Sequence, residues 1–201
     1  MLVVIPIEED TMPVTTGTKA TAAVRSPLAD LNRRHHPGRH SLAVDVLLAV
    51  TRVGLGWIFL WAFLDKLFGL GHETPSAQSW VNGGSPTEGF LAHAATGPFA
   101  GIYHDIAGAA WADWLFMIGL AGIGAALVLG VGMRAAAVAG ATLLVLMWTA
   151  VLPPENNPFM DDHLVYALVL GLLAAFGAGR SFGLGGWWER TALTRGRPYL
   201  I

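Results

Sequence analysis

The chain has 201 residues, 54% of them hydrophobic and only 13% charged, with a net charge of −2 at neutral pH. Soluble domains carry about 25% charged residues, so the composition excludes an ordinary soluble enzyme and points to an integral membrane protein. The chain has no cysteine, which excludes disulfides, thiol redox chemistry and thiolate metal sites. It also has no basic patch with interleaved aromatics of the kind that binds nucleic acid.

Residues 1–40 mix Thr, Pro, Ala and charges and end in the basic cluster LNRRHHPGRH. They are expected to form a disordered cytoplasmic tail flanking a membrane helix. The apolar run SLAVDVLLAVTRVGLGWIFLWAFLDKLFG, residues 41–69, predicts a first span, since a bilayer core needs about 20 apolar residues. Arg52, Gly56, Phe59, Phe63 and Lys66 fall at helical steps of four and three, so they share one face, with Asp45 a heptad earlier. A cationic stripe in a membrane helix should face protein or a cavity, away from lipid tails.

A connection of about 40 residues follows, without Lys or Arg. Within it, Ser85-Pro86-Thr87-Glu88 fits a capping box opening a short helix from Pro86 to about Ala95. Trp80, Phe90, Phe99, Tyr103 and Trp111 suit an interfacial aromatic belt. Further spans are expected at 111–133, 135–152 and 163–179. Gly122, Ala126 and Gly130, and likewise Ala167, Gly171 and Ala175, recur every four residues and predict close-packing faces. Residues 181–201 are expected to be a cytoplasmic C-terminal tail. The fold class is therefore all-α, a membrane-embedded four-helix bundle with residues 41–180 as its body. The positively charged segments alternate with uncharged or acidic ones, which puts both termini on the cytoplasmic side of a multi-pass inner-membrane protein surrounded by membrane lipids.

Several residues carry candidate chemistry. Lys66 could pair with acids at the same depth, namely Asp113, Asp161 or Asp162, or sit in a polar pocket with His163 and Asp162. Those three residues, His163, Asp162 and Lys66, are the candidate catalytic set, because His exchanges protons near neutral pH. Arg52 has no carboxylate at its own depth. It must reach lipid phosphates, bind backbone carbonyls, or meet a ligand oxygen such as a quinone carbonyl. Arg52, Gly56, Phe63 and Lys66 are the candidate ligand-binding stripe, with Gly56 leaving space and Phe63 giving an apolar wall. No histidine spacing matches a metal motif such as HExxH, and no Walker loop, dinucleotide fingerprint or serine triad is present. Neither a metal nor a flavin is expected.

The stretch RVGLGWIFLWAFLDKLFG, with Arg52, Gly56, Phe59 and Lys66-Leu67, resembles the first helix of the DoxX/DoxD family of small four-span membrane proteins. The segments WVNGGSPTEGFL, GPFAGIY, DWLFMIGLAGIGAALVLGVGMR and NPFMDDH look like its DoxD branch, and the likeness covers residues 42–182. The resemblance implies the membrane subunit of a thiosulfate:quinone oxidoreductase, using quinone and working with a second redox subunit, DoxA; a homo-oligomer is the other partnership expected. Other members of such a family act as accessory or assembly subunits of membrane complexes, which stands as the alternative function. A transporter is a third reading, without the pair of broken helices that would support it.

Overall fold

The computed structural model describes residues 41–201. The expected basic tail over residues 1–40 lies outside them. Among the described residues the secondary structure is helical, with no strand.

Helix α1, Leu42–Phe68, begins where the Ser41 Oγ accepts the Val44 N–H (3.4 Å) and ends at Gly69, whose left-handed conformation (φ 66°) suits glycine. Its 27 residues cover about 40 Å. A short helix, α2 (Ala100–Asp105), lies within the long connection. It is followed by α3 (Ala110–Leu129), α4 (Met133–Ala150), α5 (Asp162–Ala175) and the single turn α6 (Gly185–Trp188). Three of these, α1, α3 and α4, are long and apolar enough to cross a membrane.

The boundaries differ from the sequence expectation where glycine intervenes. The second apolar run stops at Leu129 because Gly130 and Gly132 turn left-handed (φ 75° and 59°) and reverse the chain into α4. The expected span at 163–179 is helical only to Ala175. Gly177 (φ 62°) breaks it, and a tighter turn, Ala178–Arg180, follows. The short helix expected from Pro86 to about Ala95 is present over residues 88–94: the Ser85 Oγ accepts the Glu88 N–H (3.1 Å), the Leu91 N–H reaches the Thr87 carbonyl (2.9 Å), and the last turn, Phe90–Ala94, is wider than an α-helix. That turn closes with the Ala95 N–H on the Phe90 carbonyl (3.1 Å).

The four long helices share one core. Leu55 and Phe59 of α1 meet Met117, Leu120 and Leu127 of α3, and this cluster continues through Leu144 of α4 to Leu170 and Leu173 of α5. Helix α1 packs chiefly on α3, and α4 on α5, whereas α3 and α4 touch less although a tight turn joins them. Of the two expected stripes, Gly130 is at a close approach, a Cβ there lying 2.8 Å from the Arg52 Nη1 and 2.9 Å from the Gly179 carbonyl oxygen, and other glycines make the remaining helix contacts. A Cβ on Gly56 would lie 2.9 Å from the Leu127 Cβ, one on Gly124 2.7 Å from the Leu60 Cγ, and one on Gly140 2.7 Å from the Leu170 Cδ1. Gly122 and Gly171 face open space. The close packing expected of the two stripes holds at Gly130 and Ala167 and not at Gly122 and Gly171, because small residues do not by themselves say which face meets protein.

Residues 181–201 fold back on themselves. The Trp188 Nε1–H donates to the Leu200 carbonyl (2.6 Å), and the Thr194 hydroxyl reaches the carbonyls of Trp188, Glu189 and Thr191. Arg180 makes a two-pronged pair with Glu189, both contacts 2.7 Å, which raises the guanidinium pKa further above its ordinary value.

Candidate functional site: a cavity at the Lys66 end

Two buried carboxylates pin the long connection to the helices. Asp65, 2% exposed, accepts the backbone N–H groups of His72 (3.3 Å), Glu73 (3.0 Å) and Thr74 (2.9 Å). This curls the chain back over the end of α1 and sets Glu73 beside Lys66. Asp113, in the first turn of α3, takes the Ser85 hydroxyl (2.8 Å), the Thr87 hydroxyl (2.6 Å) and the Thr87 N–H (3.1 Å) on one oxygen. Hydrogen bonds to an ionised acceptor are stronger than neutral ones, so each carboxylate is satisfied by loop donors rather than by a counter-ion. Further along, the Tyr103 hydroxyl donates to the Leu146 carbonyl (3.0 Å) and lies 2.6 Å from the Thr149 hydroxyl, while the Thr96 N–H reaches the Ala150 carbonyl (2.8 Å). Gly97 (φ 74°) is required here, because any Cβ would collide with the Leu152 carbonyl.

Beneath this strap lies a cavity of about 1230 Å³. Its floor and walls are apolar, running from Trp111 through Phe116 to Ile123 on α3 and from Met147 back to Ala139 on α4. The distance from Trp111 to Ile123 is about 18 Å along a helix. The cavity occupies the space that opens where α3 and α4 diverge from their shared turn. Leu115 (67% exposed) and Leu146 (50%) line it and also face outward, so it opens sideways toward the surroundings of the helices. The polar lining is concentrated at the other end: Lys66 and Glu73, Thr74, Tyr103, Asp162 and His163. An apolar chamber with a few placed polar groups is the usual form of a small-molecule site.

His163 is held firmly. Its Nδ1 lies 2.7 Å from the Asp161 Oδ2 and 3.5 Å from the Asp162 Oδ1. Asp161 is at the same time the N-cap of α5, its Oδ1 accepting the Leu164 N–H (3.2 Å). Ligand atoms of Asp161, Asp162 and His163 lie within 4.8 Å of one another. Capping and imidazole orientation account for that gathering of groups, and no second feature of the site points to a cation.

Of the sequence-predicted residues, Lys66, Asp162 and His163 line this cavity together. Arg52, Gly56 and Phe63 are absent from its lining. Phe63 packs against the core, and Gly56 is filled by α3. Arg52, 1% exposed, spends its donors on backbone carbonyls: Nη1 on Leu127 and Val128 (2.9 Å to the latter) and Nη2 on Ser181 (3.3 Å). The first two are carbonyls of the last turn of α3, where helix polarity favours a cation; that of Leu127 also accepts the Gly130 N–H (3.2 Å). Ser181 in turn donates its hydroxyl to Asp45 (2.8 Å). All the hydrogen bonds of Arg52 thus go to backbone carbonyls, and its Nε–H is buried without a partner.

Lys66 does not pair with the acids opening α3 or α5. Its Nζ lies 3.1 Å from the Glu73 Oε2, because Asp113 and Asp161 are already engaged and the loop brings Glu73 closer. The anchoring roles of Asp65, Asp113 and Asp161 were missed. A carboxylate next to a Ser/Thr/Gly-rich connection is the available signal for the first two, and Asp161 carries an N-cap signal of its own.

Comparison with family models, with curated proteins and with solved structures finds no match to this chain.

Proposed function

We propose that the chain is a four-span inner-membrane protein, with both termini cytoplasmic, that binds a quinone-type amphiphile in the Lys66-end cavity as the membrane subunit of a redox complex. The observation that carries this reading is the division of the cavity: long apolar walls open to the side, with cation, carboxylates, phenol and imidazole at one end. A ring with oxygen substituents would sit among those polar groups, and its isoprenoid chain along α3 and α4. A fourth crossing is supported by the placement of α5. It starts at the cavity beside α3's first turns, and Gly179 packs on the Gly130 carbonyl at α3's far end. The segment 162–179 therefore covers the same depth as α3. The resemblance to DoxX/DoxD proteins adds the thiosulfate:quinone reaction as the activity to test first.

A bound quinone would supply the electron-carrying chemistry, and the reading calls for no flavin or metal in this chain. Lys66 would hold a ring oxygen, His163 would exchange a proton at its free nitrogen, and the strap at Ser85–Tyr103 would keep bulk water out. Electrons would come from the substrate or a second redox subunit, and a second copy of the chain is the other partner considered.

The test is titration of the protein in lipid nanodiscs with a decyl-chain benzoquinone, followed by tryptophan fluorescence, alongside thiosulfate-dependent quinone reduction. His163→Ala should weaken binding and turnover with the fold intact. If the native protein neither binds quinone nor turns over with candidate partners added, the second reading replaces the first. That reading, a non-catalytic accessory or assembly subunit, is favoured by Arg52, whose hydrogen bonds all go to backbone.

A further inference from the structure

We infer that Asp161 is a positioning residue that locks His163 into one tautomer and so makes the imidazole a hydrogen-bond acceptor toward the cavity. This rests on the quinone reading for its ligand but on separate geometry for its mechanism. A neutral imidazole carries its proton on one nitrogen and accepts at the other. Two carboxylate oxygens face Nδ1, at 2.7 Å from Asp161 and 3.5 Å from Asp162. An ionised carboxylate only accepts, so Nδ1 must be the protonated nitrogen. In the neutral ring Nε2 is then bare, and with Nδ1 taken up by the carboxylates it is the nitrogen left for the cavity that His163 lines. The other charged side chains that line the cavity are Lys66 and Glu73, paired with each other at 3.1 Å, while Asp65 and Asp113 at the same end are taken up by loop donors.

A bare Nε2 accepts a hydrogen and repels an acceptor. The cavity end therefore recognises a hydroxyl-bearing head group, a hydroquinone or other phenol, over one that presents only a carbonyl at that position. Asp162, the acid singled out from the sequence, is 70% exposed on its side chain against 13% for Asp161. Asp161 is the better orienter because its other oxygen is fixed by the Leu164 N–H.

That same division of labour supplies the test. In Asp161→Asn the amide oxygen is needed for the Leu164 N–H, so the amide N–H₂ turns to Nδ1. The imidazole must then accept there and carry its proton on Nε2. Asp161→Ser keeps an N-cap but is too short to hold the ring, so it serves as the second variant should the first misfold. The full chain is labelled with 15N-histidine in nanodiscs at pH 8, where a free imidazole is neutral, and the His163 signals are assigned by their loss in His163→Ala. The native spectrum should show protonated Nδ1 and bare Nε2, with the pattern inverted in Asp161→Asn and mixed in Asp161→Ser. Decyl-chain hydroquinone should bind about tenfold tighter than the matching quinone, the worth of one neutral hydrogen bond, and this preference should fall toward unity in both variants. A native Nε2–H, or a preference unchanged by both substitutions, overturns the proposal. If the tautomers behave as stated and neither probe binds, the role of Asp161 stands and the quinone reading is what fails.

Discussion

The two ends of the helix bundle use buried charge in opposite ways. At the Arg52 end a cation is enclosed by carbonyl oxygens from α3 and from the segment after α5. Glycines press the chain together there, Gly56 on α3 and Gly179 on Gly130. At the Lys66 end the buried charges are carboxylates, Asp65 and Asp113, and their partners are N–H and O–H groups of the connection. There the helices diverge and a cavity opens. Both ends obey the rule that backbone polar groups in an apolar medium need partners. The cation is spent on closing the protein, and the anions are spent on roofing a space. An ionisable residue within a membrane is a functional candidate by default, and here that default separates Lys66 and His163 from Arg52.

The sharpest way to break the comparison is Arg52→Met. It should loosen the closed end, taking a donor from three carbonyls, of which that of Leu127 keeps the Gly130 N–H, at a cost of about 2–3 kcal/mol. A large fall in the thermal midpoint in detergent is expected, with ligand titration at the other end unchanged in whatever remains folded. Next in size is Asp113→Ala, which frees Ser85 and Thr87. A loss of about 2 kcal/mol is expected, and amide exchange at Thr87 should accelerate far more than in the helices. Protection unchanged at Thr87 would mean the strap is held elsewhere. Gly56→Ala forces a methyl against α3 and should cost about 1–3 kcal/mol. Gly119→Ala, in a cavity wall where a Cβ meets nothing within 4 Å, should be neutral or stabilising by up to about 1 kcal/mol from helix propensity. Equal effects from the pair would erase the distinction between a packed and an open region. The smallest effect belongs to Lys66→Ala. Glu73 is 79% exposed on its side chain, so breaking this pair should cost under about 1 kcal/mol, visible in ligand affinity rather than in melting. For orientation, cysteines at Ala20 and Ala94 should be labelled from opposite sides of intact cells, position 94 by an impermeant reagent.

Apolar runs and glycine punctuation made the helices legible before any coordinates. Leu42–Phe68 and Met133–Ala150 fall within two residues of the expected limits, because mean hydropathy over 20 residues is a strong local signal. The helix ends at Leu129 and Ala175 were overrun, since an isolated glycine reads equally as packing or as a left-handed stop. Long-range partners were not legible. That Arg52 would find Leu127 and Ser181, 75 and 129 residues away, depends on which helices become neighbours, and periodicity within one helix cannot supply that. Lys66, Asp162 and His163 line one cavity, a nearness that their positions at the ends of two apolar runs make legible. Asp161 escaped because its cap and its hold on His163 lie on different oxygens of one side chain.

The contacts of Arg52 also impose an order on biosynthesis. Ribosomes add about 5–20 residues per second, and the Leu127 carbonyl lies 75 residues downstream. Helix α1 therefore waits roughly 4–15 s in the nascent chain before its guanidinium can dock, and longer before Ser181 exists. Through that interval α1 is an apolar segment with a bare charge, and α3 supplies the first carbonyls that satisfy it. A translational pause placed between residues 70 and 130 would lengthen the exposed interval. It should increase degradation of the nascent chain without altering the stability of the finished protein.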